Sequence, residues 1–150
     1  MIRLATLALS VFLPLVALAG AWGDGSFEND DAADWSSECV ASSGTAFVAR
    51  TLQAAVSADY LEAPGGSAAV AAAEVVAAAS GRPEASLPQE LREWVSHQPA
   101  HELAALRPLA REALQKVLDP KGSELRQLWS EGKGKHWVQR IAALERRLGT

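Results

Sequence analysis

Carboxylates crowded into one short stretch are the groups with the most chemistry to offer. Residues 20–35 read GAWGDGSFENDDAADW, so Asp24, Glu28, Asp30, Asp31 and Asp34 share a segment with two tryptophans, one phenylalanine and three glycines. That density suits a hard cation, since calcium takes about six to eight oxygen ligands. The spacing is not that of an EF-hand loop. Asp24, Ser26, Glu28 and Asp30 fall at alternate positions, but Gly25 is misplaced and Trp35 stands where the closing glutamate belongs. A divalent cation on Asp30, Asp31 and Asp34 is therefore set against a second reading, in which these acids cap a helix and compensate its dipole. The cation reading gains if Glu74 points at the same place.

Glu74 is the only charge in the segment SAAVAAAEVVAAAS, residues 67–80. A carboxylate among apolar side chains must be paired or neutralised. One reading ties it to backbone donors of the loop 22–29 or to Arg50; the other makes it a general base or metal ligand with a raised pKa. The histidines offer less. His97 and His101 are four apart but Pro99 separates them, and His136 adjoins a Gly-Lys loop, so all three read as surface residues. Cys39 is the sole cysteine, which rules out an internal disulfide, and its place in an apolar helical pattern makes it a buried thiol. No phosphate loop, Gly-x-Ser-x-Gly or Cys-x-x-Cys occurs.

The elements that position these groups all have helical period. After a loop freed by Gly23 and Gly25, with Trp22 and Phe27 as apolar plugs, Asn29 or Asp30 starts a helix to about Ser42 that buries Ala32, Trp35 and Cys39. A second spans residues 45–58, with Val48, Leu52 and Val56 inward. Residues 59–66 read as a loop, and Ser67 as the cap of a third helix, residues 68–80, whose all-round apolar surface places it centrally. Ser86 to Gln89 forms a capping box before a fourth helix with Leu91, Trp94 and Val95 inward. Pro108 splits or kinks residues 100–118. A short helix from Ser123 and a last one carrying Trp137, Ile141, Leu144 and Leu148, with Arg140, Glu145 and Arg147 toward solvent, complete the chain. The fold class is all-α: a bundle of about six to seven short helices, with the N-terminal Gly/Trp-rich loop on a central Ala-rich helix.

The pattern Trp22-Gly23-x-Gly25-x-Phe27-x-Asn29-Asp30, then Asp34-Trp35, resembles the opening of the bacterial domain-of-unknown-function 4259 family. Residues 72–77 (AAEVVA) and Leu125-Arg126-x-Leu128-Trp129 followed by Trp137 extend the likeness. The resemblance implies a structural motif of Trp22, Gly23, Gly25, Phe27, Asn29, Asp30, Trp35 and Glu74; it implies no activity.

Residues 1–19 carry one charge, Arg3, then an apolar run to Ala17-Leu18-Ala19, the pattern of a secretory signal cleaved after Ala19. About 15 apolar residues broken by Pro14 fall short of the ~20 that span a bilayer. Residues 20–150 are then one domain, secreted or periplasmic, with no stable membrane span after cleavage; a retained anchor is the alternative. Charge is unevenly placed. From Gly20 to Pro64 eight acids (Asp24, Glu28, Asp30, Asp31, Asp34, Glu38, Asp59, Glu62) face Arg50 alone. Seven bases (Lys121, Arg126, Lys133, Lys135, Arg140, Arg146, Arg147) face three acids after residue 120. Opposite fields of this kind bring the two ends together, and a net charge of -4 argues against nucleic acid as a partner. Function divides three ways. A non-catalytic module binding a protein or cell-envelope component leads, ahead of a divalent-cation protein or metal-dependent enzyme and of a membrane-surface protein held by its N-terminal segment.

Overall fold

A computed structural model describes residues 20–149; residues 1–19, where the sequence suggests a secretory signal, lie outside them. The described chain folds into eight helices: α1 (Asp30–Ala41), α2 (Ala46–Ser57), α3 (Ala63–Ala79), α4 (Gln89–Ser96), α5 (Ala100–Ala104), α6 (Arg107–Val117), α7 (Glu124–Leu128) and α8 (Gly134–Leu148). Its only β pairing is two isolated bridges, Ala21 with Asn29 and Leu61 with Ser123.

Helix α3 is the axle. It touches each of the other seven helices, and Ala69, Ala71, Ala72, Ala73, Val75, Val76 and Ala77 are wholly or almost wholly shielded from solvent. Alanine is the best helix former, and a methyl group lets a neighbouring helix approach closely on every side. One element can then serve as core for all the rest. Larger side chains fill the outer ring: Val48 and Leu52 from α2, Leu91 from α4, Leu103 from α5, Leu114 and Val117 from α6, Ile141 and Leu144 from α8. Trp35 stacks on Phe47 with ring centroids 5.7 Å apart, and its indole N–H donates to Thr51 Oγ1 at 2.9 Å.

Two boundaries differ from those expected. Helix α3 begins at Ala63, five residues ahead of the expected start, because Pro64 suits the first helical turn. The backbone N–H of Gly66 already bonds the Glu62 carbonyl at 2.9 Å. Ser67 therefore lies inside the helix instead of capping it. At α4 the cap position belongs to Pro88, and no side chain caps that end. Pro108 does split its segment, giving α5 and α6, with the proline in the first turn of α6.

Gly66 is spent on proximity. A Cβ built there would stand 3.2 Å from Leu125 Cβ and Cδ2, so hydrogen at this position lets α7 lie against α3. The parallel bridge reinforces the contact: Leu61 N–H donates to the Gly122 carbonyl at 2.8 Å and Glu124 N–H to the Leu61 carbonyl at 2.9 Å. Gly66→Val, overfilling that contact, is expected to destabilise by about 1–3 kcal/mol; a denaturation midpoint equal to wild type would contradict this account of α7.

Candidate functional site

The loop 20–29 is built by its own backbone. Trp22 and Gly23 N–H groups both donate to the Glu28 carbonyl, at 3.0 and 3.3 Å, Glu28 N–H returns to Gly25 at 3.1 Å, and Asp30 N–H closes the turn on Gly20 at 2.8 Å. The Glu28 carboxylate folds inward onto the Gly25 N–H at 2.8 Å. Side chains at Gly23 or Gly25 would collide with that carboxylate. Neither of these glycines has positive φ, in contrast to Gly20, so they serve close approach rather than the backbone freedom expected of them. Asn29 caps α1, its Oδ1 accepting from Ala32 N–H at 2.8 Å.

Phe27 packs against the core, but Trp22 does not plug it: the indole is 62% exposed. The self-bonded loop turns that side chain outward, and Ser26 is the residue that reaches in.

Ser26 Oγ donates to Glu74 Oε1 at 2.8 Å. Glu74, 2% exposed, is gripped from the other side by Arg147, whose two terminal nitrogens bond its two oxygens at 2.8 and 2.9 Å. The same guanidinium reaches the Arg82 carbonyl at 3.2 Å and Glu84 at 3.3 Å. Two expectations are corrected here. The partner of Glu74 is Arg147 rather than Arg50 or loop backbone, and Arg147 turns inward rather than to solvent. Its position flanks the Leu144–Leu148 face of α8, and only a long, forked cation spans the gap to α3. Burial works against charge on Arg147, but the hydrogen bonds and negative charge of Glu74, with Glu84 beyond, outweigh it and raise its pKa.

A second tie joins loop and α8. Asp24 is bonded by His136 Nδ1 and by Arg140 Nε, the latter at 3.1 Å. The His136 hydrogen bond holds the Asp24 carboxyl below its ordinary value against some desolvation, with Arg140 assisting. Of the eight acids before residue 65, Asp24 alone forms an ion pair with the basic C-terminal helix; the other tie to that helix runs through Glu74 of α3.

Between these ties opens a cleft of about 480 Å³. One wall is the loop and α1 (Ser26, Asn29, Asp31); the others come from α3 (Pro64, Ser67, Val70) and from the α7–α8 corner (Leu125, Leu128, Trp129, Trp137). Gly134 passes so close to the Trp129 carbonyl that a Cβ has no room, and this brings Trp129 and Trp137 into parallel stacking, centroids 6.0 Å apart and planes 6° from coplanar. Of the exposed large apolar side chains among the described residues, Leu128 lines the cleft, and Trp22 lies in the loop between two lining residues, Ala21 and Gly23.

The acids proposed as cation ligands are not assembled. Asp30 and Asp34 are exposed on the first turns of α1, Asp31 faces the cleft, and Glu74 is committed to Arg147 and Ser26. Among the described residues no three His, Cys, Asp or Glu side chains are grouped to hold a metal ion. Asp31 has its pKa raised, by partial desolvation first and then by Asp30 and Asp34 beside it. Cys39 is fully buried, which pushes its thiol up to about 12 and leaves it inert at neutral pH. His97 and His101 are exposed. The sequence reading missed the cleft itself. Ser67 reads from the sequence as a cap; the available signal was apolar bulk, Leu125, Leu128 and Trp129, on and just after a five-residue helix.

Fold and site together define a small all-helical domain whose N-terminal Gly/Trp loop is clamped to a central alanine-rich helix beside an aromatic cleft. The chain belongs to the family described as Domain of unknown function (DUF4259), whose model matches residues 20–140. No curated protein and no solved structure matches it.

Two outcomes test the ties. Arg147→Ala strands a buried carboxylate and is expected to cost about 3–5 kcal/mol in urea unfolding, whereas Glu74→Leu combined with Arg147→Met should recover most of that loss. Equal stability of Arg147→Ala and wild type would break the account. Asp24, with its pKa lowered on folding, stabilises fully above its unfolded value of 3.8, and that contribution fades as pH falls through the lower folded value. Asp24→Asn should therefore narrow the stability difference between pH 6 and pH 3; an unchanged pH profile would speak against the tie.

Proposed function

We propose that this protein is an exported, non-catalytic binding module whose cleft receives part of another protein or cell-envelope component. One observation carries the reading: a cleft lined by stacked tryptophans and the exposed Leu128, beside the loop that bears the exposed Trp22. Exposed apolar side chains gathered at one concave site mark binding surfaces. The chemistry of the lining agrees. No histidine, cysteine or lysine lines the cleft, and the hydroxyl of Ser26 is turned to a carboxylate already held by a guanidinium. A nucleophile with a free base in reach is what a hydrolytic mechanism would need. Export is supported by the apolar N-terminal 19 residues and by the family match beginning at residue 20.

Photo-crosslinking in the native host tests this. A photoreactive residue at Leu128 should give a discrete adduct with another envelope or secreted component, a residue at Gln53 on α2 should not, and the adducted chain should begin at Gly20 by mass spectrometry. Turnover in a hydrolase screen that disappears in a folded Ser26→Ala variant would overturn the non-catalytic reading. A calcium, magnesium or manganese thermal shift abolished by Asp30→Asn and Asp34→Asn would favour the divalent-cation alternative instead.

A further inference from the structure

Ser67 is the polar side chain that α3 brings to this cleft. The residue is 5% exposed, and among the described residues no enclosed side-chain nitrogen or oxygen lacks a hydrogen-bond partner, so its hydroxyl, bonded to no described residue, is open to the cleft it lines. A hydroxyl so placed is available to a partner from outside the chain.

The charge of the lining says which kind. Asp31 and Glu124 are the only charged residues there, and no base accompanies them. Glu124 is occupied, its Oε2 accepting from Ala63 N–H at 2.7 Å at the start of α3. Asp31 has no ion pair among the described residues, and desolvation with Asp30 and Asp34 nearby makes its negative charge uncomfortable. The α1 and α3 N-termini supply roughly half a positive charge each. That leaves the two carboxylates of the lining, Asp31 and Glu124, in excess, so an anionic group would be repelled and a cation drawn in.

Shape narrows the choice further. Val70, Leu125 and Leu128 with the Trp129–Trp137 stack offer an apolar wall to an alkyl stem, and indole attracts a cation as well. The free acceptors are few, chiefly the Asp31 carboxylate and the Ser67 hydroxyl. A bare divalent ion needs more oxygens than these, and a guanidinium carries five donors in a fixed fork, whereas an ammonium has three that rotate.

Resting on the binding-module reading, we propose that the cleft takes the side chain of a lysine presented by a partner protein, its stem against Leu125, Leu128 and Trp129 and its ammonium between Asp31 and Ser67.

The test uses the isotope-labelled mature protein, following the Ser67 amide and the Trp129 and Trp137 indole signals. The probes are Ac-Ala-Lys-Ala-amide, its acetyl-lysine counterpart, n-butylammonium and n-butanol. Saturable shifts at these three residues are expected, with the lysine peptide and n-butylammonium binding about tenfold more tightly than their neutral counterparts, a difference of ~1.4 kcal/mol. Asp31→Asn should erase that preference, and Ser67→Ala, which leaves the helix intact, should weaken both cationic probes several-fold. Neutral and cationic probes binding the cleft equally, or a preference that survives Asp31→Asn, would overturn the lysine assignment while leaving a binding cleft in place. Absence of any shift at the cleft with all four probes would overturn both.

Discussion

The clamp of Arg147 on Glu74 is the constraint on which the arrangement depends. A carboxylate fully enclosed at the middle of an alanine-rich helix cannot be left to itself, because desolvating an unpaired charge costs several kcal/mol. The chain meets that demand with a bidentate guanidinium from its last helix and a serine from its first loop. Such a pair adds little net stability over a well-packed apolar substitute. What it supplies is position: α8, α3 and the loop 20–29 are held in one register, since only one placement lets both carboxylate oxygens and the Ser26 hydroxyl be satisfied.

Other features follow from this fixed point. With Ser26 drawn inward, the short turn before α1 closes on itself through Glu28, and Trp22 is thrown to the surface. Asp24 on that turn meets His136 and Arg140 on α8, so loop and helix are joined twice. The space left between them, floored by α3 and closed by α7, is the cleft. Gly66 and Gly134 set its dimensions, one by admitting α7 to α3 and the other by bringing Trp137 under Trp129.

The acidic cluster changes meaning in this setting. Dense in sequence, it is divided in space: Asp24 pairs with α8, Glu28 shapes the loop, Asp30 and Asp34 lie at the surface, and Asp31 alone faces the cleft. Neighbours in a chain of helices are about 100° apart around an axis, so density along the sequence does not become a ligand shell.

Sequence by itself determined the all-α class, the Asn29 cap, the buried faces of α1, α2 and α8 and the central place of α3. These follow from helical periodicity and capping chemistry, both of which are local or additive along the chain. It also marked Glu74 as the residue needing an explanation. Tertiary structure alone decided who answers it: Arg50 and Arg147 are both arginines on amphipathic helices, and 73 residues separate Glu74 from the one that pairs with it. The same holds for the exposure of Trp22, the early start of α3 and the unpartnered hydroxyl of Ser67. Each is settled by which surfaces of distant helices arrive at one place, and periodicity reports which face of a helix is buried but not what buries it.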